Sequence, residues 1–376
     1  MVIAKESAPH LRRKASVTRM MVDVLIALAP TLIFSFVVFP IKTLIFYLIS
    51  VVIMEGAEFV YVGLKGIMPN DGQKHSFKER FEYAYKGKYN QNNILTAAIT
   101  AIIFTLIMPA GAPIYAVIVG ALVGIVLGKL VFGGLGSNIF NPAAVGMLFA
   151  KVCFGSQYAK NVPTWYYNVA DVSAAPTALS NSAGGLNGLI ANFNNANFLD
   201  MFLGRMYGTL GEVFSITIII GAIYLLIRRS ADFRVMLPYL GAFALFSLVA
   251  GLAFYAVDGV TNPGAFTLFS LLSGGVLFGG VFMLTDPVTS PINSPSRIIY
   301  ALVAAVSTIF IRLFTDYPEG VGFSILIANM IAVVLDHYEW SNPRYTWKKF
   351  LAMGLLIVIP AAVIFLVIKF GGVYHG

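Results

Sequence analysis

The chain has 376 residues, 58% of them hydrophobic and only 11% charged, where a soluble domain carries about 25% charged residues. With a mean hydropathy of +0.82, a soluble fold would need a core larger than this length can enclose, so the composition points to an all-α polytopic membrane protein. The net charge of +8 does not call for nucleic acid, because membrane proteins collect Lys and Arg in their cytoplasmic loops. The single Cys153 excludes an intrachain disulfide, and one thiolate cannot hold an iron–sulfur cluster or structural zinc. Its apolar setting reads as packing, and no metal site is expected.

In chain order, apolar windows mark candidate spans at 21–39, 43–64, 92–109, 113–132, 142–154, 211–227, 235–256, 265–284, 297–314, 321–335 and 349–370. The first follows a basic N-terminus but has spanning length and no small-residue cleavage site, so it reads as a span and not as a signal peptide. With the N-terminus in the cytoplasm, 19 of the 25 basic residues fall inside, Lys129 among them, as the positive-inside rule requires. That orientation sends the polar segment 155–210 outward.

Two of the spans are short. Residues 142–154 begin at "FNPAAVG" and 321–335 follow "YPEGVGF", and each is the fifth of a set of five. The third spans also echo one another, "ILTAAITAIIFTLIMPAG" beside "LLSGGVLFGGVFMLTDP". An odd number of spans per set forces two copies into opposite orientation, the pattern of an inverted five-helix repeat with short or broken helices. The expected organisation is a cytoplasmic segment 1–20, a first repeat 21–154, an extracytoplasmic loop 155–210, a second repeat 211–335, and a C-terminal segment 336–376 with a further helix, making 10–11 transmembrane helices.

Charge inside the spans is scarce and each case needs a reason. Glu55 and Glu58 in "VIMEGAEFVYVG" are three apart and share a helix face, where carboxylates can hand on a cation or reach interfacial water or Lys65. Asp23 reads as a helix N-terminal charge. Thr209 and Glu212 have the spacing of a capping box opening the sixth span. Asp286, before three prolines, and the pair Asp336 and His337 read as helix ends. "GKLVFGGLGSNIFNPA" lacks the Gly-Lys-Ser/Thr ending of a phosphate loop and reads as an irregular turn. The outer loop holds no metal-ligand cluster and no Ser-His-Asp set, so no catalytic residue is assigned.

Five segments carry a resemblance along almost the whole chain: "SAPHLRRKASVTRMMVDVLIALAP", "LGKLVFGGLGSNIFNPAAVGMLFA", "GTLGEV", "FGGVFMLTDPVTSP" and "IRLFTDYPEGVGFSILIANMIAVVLDHY". In these the chain resembles the flavin-carrying membrane components of two assemblies, the D subunit of the Rnf complex and the B subunit of the sodium-pumping NADH:quinone oxidoreductase. The resemblance implies a covalent FMN on a threonine of the outer loop, installed by a separate flavin transferase, with a second, non-covalent flavin (riboflavin or FMN) in some members. In "DVSAAPTALS", Asp171 and Thr177 keep the family's six-residue offset, while Ala174, Ala175 and Pro176 depart from its Ser/Thr, Gly and Ala. Thr177 is the expected attachment residue, with Ser173, Thr164 and Thr209 as weaker candidates.

The implied activity is electron relay between ferredoxin and NAD, coupled to Na⁺ or H⁺ movement across the bacterial inner membrane. Flavin- and iron–sulfur-bearing subunits are the implied partners, and Glu58 and Asp336 match family carboxylates that could line a cation path. The quinone reductase component is the alternative within the family, and a neutral-solute channel with inverted repeats is the alternative outside it.

Overall fold

The computed structural model describes residues 17–65, 76–155, 189–190, 193–194, 198–204, 208–212, 214–257, 260–315, 320–337, 340 and 342–371. The described residues form helices and contain one isolated β-bridge, Pro109 to Thr209. A helix begins at or near every apolar window of the sequence. In the first half these are α1 (Val17–Val38), α2 (Pro40–Lys65), α4 (Gln91–Ile107), α5 (Ile114–Ile125) and α6 (Pro142–Phe154), with α3 (Phe77–Lys88) between α2 and α4. After a short α7 (Phe198–Leu203), the second half has α8 (Ser215–Arg228), α9 (Phe233–Tyr255), α10 (Pro263–Leu272), α11 (Val276–Phe278), α12 (Ser294–Phe314) and α13 (Val321–Leu335), followed by α14 (Trp347–Phe370).

Among the described residues, five helices, α1, α2, α9, α12 and α14, are long and apolar enough to cross a membrane, or six spans if α10 and α11 with the following turn count as one bent pair. This is a multi-pass membrane protein. The remaining apolar helices run 10–17 residues, at or below the lower end of the length that crosses a bilayer alone, about 17 residues. Each buries one face in the bundle, as Ala97, Ala101 and Phe104 of α4 and Ala144, Leu148 and Ala150 of α6 show, while α8 and α13 also expose apolar side chains such as Ile220, Ile223, Met330 and Val334. α14 instead keeps Leu351, Leu355, Val358, Ile359 and Leu366 exposed, as a lipid-facing helix does.

Local chemistry sets the ends. Asn141 caps α6, its side-chain oxygen accepting from the amides of Ala143 (3.1 Å) and Ala144 (3.2 Å), and Pro142 takes the first helical position, where no amide is needed. Asn262 and Pro263 repeat the device at α10. α3 is amphipathic and opens with a capping box, Ser76 with Glu79. It lies against α2 through the stacked rings of Phe59 and Tyr85, 4.4 Å apart.

The two halves pack their helices alike. In the first, α2 lies against α4 and α5, α5 against α6, and α1 against α4; in the second, α9 lies against α10 and α12, α12 against α13, and α8 against α11. Across the middle, α1 meets α8 and α6 meets α13, so first helix faces first and fifth faces fifth. α14 packs on α9 and α12.

Breaks occur where backbone can be re-satisfied. The third span of the second half bends by 64° between Leu272 and Val276, at Ser273, Gly274 (φ +66°) and Gly275, and resumes as α11 and a π turn, Gly279–Met283. The break that the sequence places before the fifth helix is present in the first half, between Leu130 and Pro142, and in the second half the third helix is bent as well. α5 likewise runs into a π turn, Val126–Leu130, and then an irregular segment with Gly133, Gly134 and Gly136 at positive φ. The α5–α6 seam is close: a Cβ on Gly124 would come within 2.7 Å of the Pro142 carbonyl, and one on Gly128 within 2.7 Å of the Pro142 Cα. Small residues at this spacing let membrane helices approach backbone to backbone.

Candidate functional site

Tight α5–α6 packing places the π turn of α5 against α2, and the π turn carries Lys129. π turns shift the helical register and recur at functional sites. Here the turn brings the Lys129 ammonium inward, where its Nζ donates to Glu58 Oε2 at 2.6 Å and to Thr96 Oγ1 of α4 at 3.0 Å. The two charged side chains are 3% and 1% exposed. The second carboxylate oxygen, Glu58 Oε1, is buried without a hydrogen-bond partner. Charges in such a setting survive only by pairing, because both desolvation costs and Coulomb attraction are large there.

One turn earlier on α2, Glu55 accepts from the Tyr89 hydroxyl at 3.2 Å. Tyr89 lies between α3 and α4, outside the spans; burial first, then the neighbouring Glu55 carboxylate, pushes its hydroxyl up to about 12. Lys129 is also within Coulomb range of Glu55 and of Asp286, which follows the π turn after α11. Asp286 closes its own turn, accepting from the Val288 amide (3.1 Å) and the Thr289 hydroxyl (3.4 Å). Among the described residues, no three His, Cys, Asp or Glu side chains converge as they would around a bound metal ion.

A second buried cation occupies the matching place in the other half. Arg312 lies two residues before the end of α12, as Lys129 lies one before the end of the helical run from α5. Each touches the second and third helices of its own half. Arg312 donates to the carbonyls of Ser270 (2.7 Å) and Ser273 (3.2 Å), at the bend after α10, and sits over the ring of Phe243 of α9. Lys129 meets Thr96 of α4 and a carboxylate of α2. The arginine holds the backbone of a broken helix, whereas the lysine holds side chains of two continuous ones.

A model of the NQR2, RnfD, RnfE family matches residues 4–344. The chain belongs to this family. Among relatives, the D subunit of the Na(+)-translocating ferredoxin:NAD(+) oxidoreductase complex of Acetobacterium woodii is 29% identical over 88% of this chain and 92% of its own length. The D subunit of the proton-translocating ferredoxin:NAD(+) oxidoreductase complex of Clostridium ljungdahlii is 30% identical, over 88% and 93%. The B subunit of the Na(+)-translocating NADH-quinone reductase of Chromohalobacter salexigens is 37% identical over 64% of this chain, and the match spans 57% of that relative's length. Family members at similar distance are thus named for different ions, so family membership leaves the ion open.

Of the carboxylates singled out in the sequence, Glu58 lies in the core of this NQR2, RnfD, RnfE family member. Asp336 ends α13 and accepts from the Ile292 amide at 3.0 Å, pinning the segment that follows Asp286. Asp171 and Thr177, with Ser173 and Thr164, lie outside the described residues. Four readings need correction. Lys129 is not a cytoplasmic loop charge: the π turn buries it. Asp23 is not a free helix-start charge: it is buried one turn and a half into α1 and bound by Arg228 (3.1 Å), Ser230 (2.6 Å) and Tyr224 (3.2 Å), tying α1 to α8. Glu212 does not open a helix: its amide donates to Thr209 Oγ1 at 3.4 Å, but α8 starts only at Ser215, and its carboxylate lies against Gly275 at the bend. Cys153 is exposed on α6, not packed.

Two features escaped the sequence. The first is the role of Lys129; a lone Lys inside "VLGKLVF", with an unmatched Glu on a neighbouring span, was the available signal. The second is a buried polar junction between the halves. The Asn141 amide donates to Asn329 Oδ1 (3.0 Å), and Asn329 Nδ2 donates to the Tyr300 hydroxyl (2.9 Å). A single Asn in an apolar run gives no hint of such a junction.

Proposed function

We propose that this chain is the D-type membrane component of an ion-translocating ferredoxin:NAD⁺ oxidoreductase. The observation that carries this reading is the end-to-end correspondence with two proteins of that description, over about nine-tenths of each chain. The B component of the quinone reductase is the second reading, favoured by the higher local identity of 37% but supported over only 57% of that relative.

On this reading Thr177 bears FMN through a phosphoester bond, with Asp171 part of the motif that a flavin transferase recognises. The flavin supplies electron transfer at the outer face of the inner membrane, and the polar loop presents the threonine for attachment. Flavin- and iron–sulfur-bearing partner subunits bring electrons in and carry them away, since a lone cysteine cannot hold a cluster. Glu58 and Asp336 belong to the cation path, where an electron arriving nearby favours entry of Na⁺ or H⁺.

The test is ultraviolet fluorescence of the denatured chain in a gel after co-production with a flavin transferase, beside Thr177→Ala. A fluorescent band lost in the variant is expected. A dark wild-type band, with the transferase active on another substrate, would remove covalent flavin. A colourless purified chain would bring the solute-channel reading forward. Electron delivery to NAD⁺ or to quinone by the assembled complex separates the two family readings.

A further inference from the structure

We propose that Lys129 is a built-in surrogate cation. It neutralises Glu58 while no transported ion is present, and it moves to Asp286 when a monovalent cation takes its place. This rests on the ion-translocating function proposed above and assigns the gate of that path.

Three observations carry it. The Lys129–Glu58 pair is closed off in the core, yet Glu58 keeps one buried oxygen with no partner, an acceptor that Lys129 leaves unused. Lys129 also has carboxylates in range beyond the one it binds: Glu58 in contact, and Glu55 and Asp286 within Coulomb range. A further carboxylate in range gives the ammonium a second place to pair when another cation takes Glu58. Finally, both hydrogen bonds of Lys129 run to side chains, Glu58 and Thr96, which can rotate away without disturbing a helix backbone. Lys carries a compact charge on a flexible stem, suited to such a change of partner. The titratable groups facing it are Glu55 and Glu58 of α2, Asp286 after the second π turn, and, through Glu55, Tyr89.

The sequence of events conserves charge. A Na⁺ ion or a proton reaches Glu58, the Nζ–Oε2 contact breaks, and the ammonium pairs with Asp286. Release of the ion returns Lys129 to Glu58.

The experiment uses the whole complex in inverted membrane vesicles and follows ferredoxin-dependent NAD⁺ reduction. Na⁺ is titrated at constant pH, and pH is varied at trace Na⁺; whichever moves the rate identifies the ion. Lys129→Met removes the competitor, so the half-saturating cation concentration should fall by about tenfold. Asp286→Asn removes the alternate seat, so it should rise by a similar factor. The double variant Lys129→Met with Glu58→Gln restores neutrality and should assemble but lose cation dependence. A purely structural ion pair predicts instead that this double variant regains wild-type cation dependence. Shifts within twofold for both single variants, or shifts in the same direction, overturn the proposal. If Lys129→Met does not assemble, Asp286→Asn, which keeps the ion pair, decides alone: an unchanged half-saturation overturns it. A wild-type complex that assembles without ferredoxin–NAD⁺ activity refutes the underlying function, a result separable from any variant.

Discussion

Gly128 offers a direct test of whether the α5–α6 seam positions the buried pair. Replacing it with Ala adds one methyl, whose carbon would stand 2.7 Å from the Pro142 Cα and 3.1 Å from its Cβ. Both atoms belong to the rigid first turn of α6, so no side chain can swing aside. The seam must widen locally from 2.7 Å to at least the 3.4 Å of ordinary contact. Overpacking of this kind costs about 1–3 kcal/mol, and here it acts one residue from Lys129, whose hydrogen bond to Glu58 is only 2.6 Å long. Gly241→Ala on α9 is the matched control: nothing lies within 4 Å of its added methyl, and Ala favours a helix over Gly by about 1 kcal/mol. Thermal unfolding of the detergent-solubilised chain should therefore rank Gly128→Ala below wild type and Gly241→Ala at or above it. Equal midpoints for the two variants would refute the reasoning, because the seam would then be loose enough to absorb a methyl.

Two further outcomes follow from the buried charges. Arg312→Met should destabilise the chain by about 3–5 kcal/mol, since two charge-assisted bonds to the carbonyls at the α10 bend are lost together; the same thermal assay checks it, and a midpoint within about 1 °C of wild type would contradict the capping role. Asp23→Asn should cost only about 1 kcal/mol, because Arg228 is partly exposed, the Tyr224 hydroxyl keeps the side-chain oxygen, and the Ser230 hydroxyl can turn to accept from the new amide nitrogen. Asp23→Leu, which leaves the buried Ser230 hydroxyl without that acceptor, should cost clearly more in the same measurement.

Most of the helical layout was legible in the sequence because it is written in runs. Long apolar windows, Asn-Pro starts at Asn141 and Asn262, and the Gly/Pro punctuation before the fifth helices all act locally. Lys129 was not legible, for a physical reason. A Lys near the end of an apolar helix normally snorkels to the interface, and nothing nearby says otherwise. What turns it inward is the π turn and a carboxylate 71 residues earlier in the chain. The bend at Ser273–Gly275 left a trace, "LLSGGVL", which reads equally well as small-residue packing; the guanidinium that stabilises the bend comes from another helix.

The likeness of the two halves sharpens what their difference means. A buried cation near the end of the fourth helix is present in both, but it grips different things. Arg312 donates to carbonyls that the bend after α10 has freed from the helical ladder, so its burial is explained by the backbone it satisfies at membrane depth. Lys129 has no such duty, because α4 runs unbroken from Gln91 to Ile107 and α2 from Pro40 to Lys65. Its partners are side chains, and a buried ion pair such as the one it makes with Glu58 is often no more stable than apolar packing of the same volume. Stability alone therefore does not account for the pair. A carboxylate adds what backbone carbonyls lack, a full negative charge, and under the proposed ion translocation that charge is what a mobile cation would take over from the lysine.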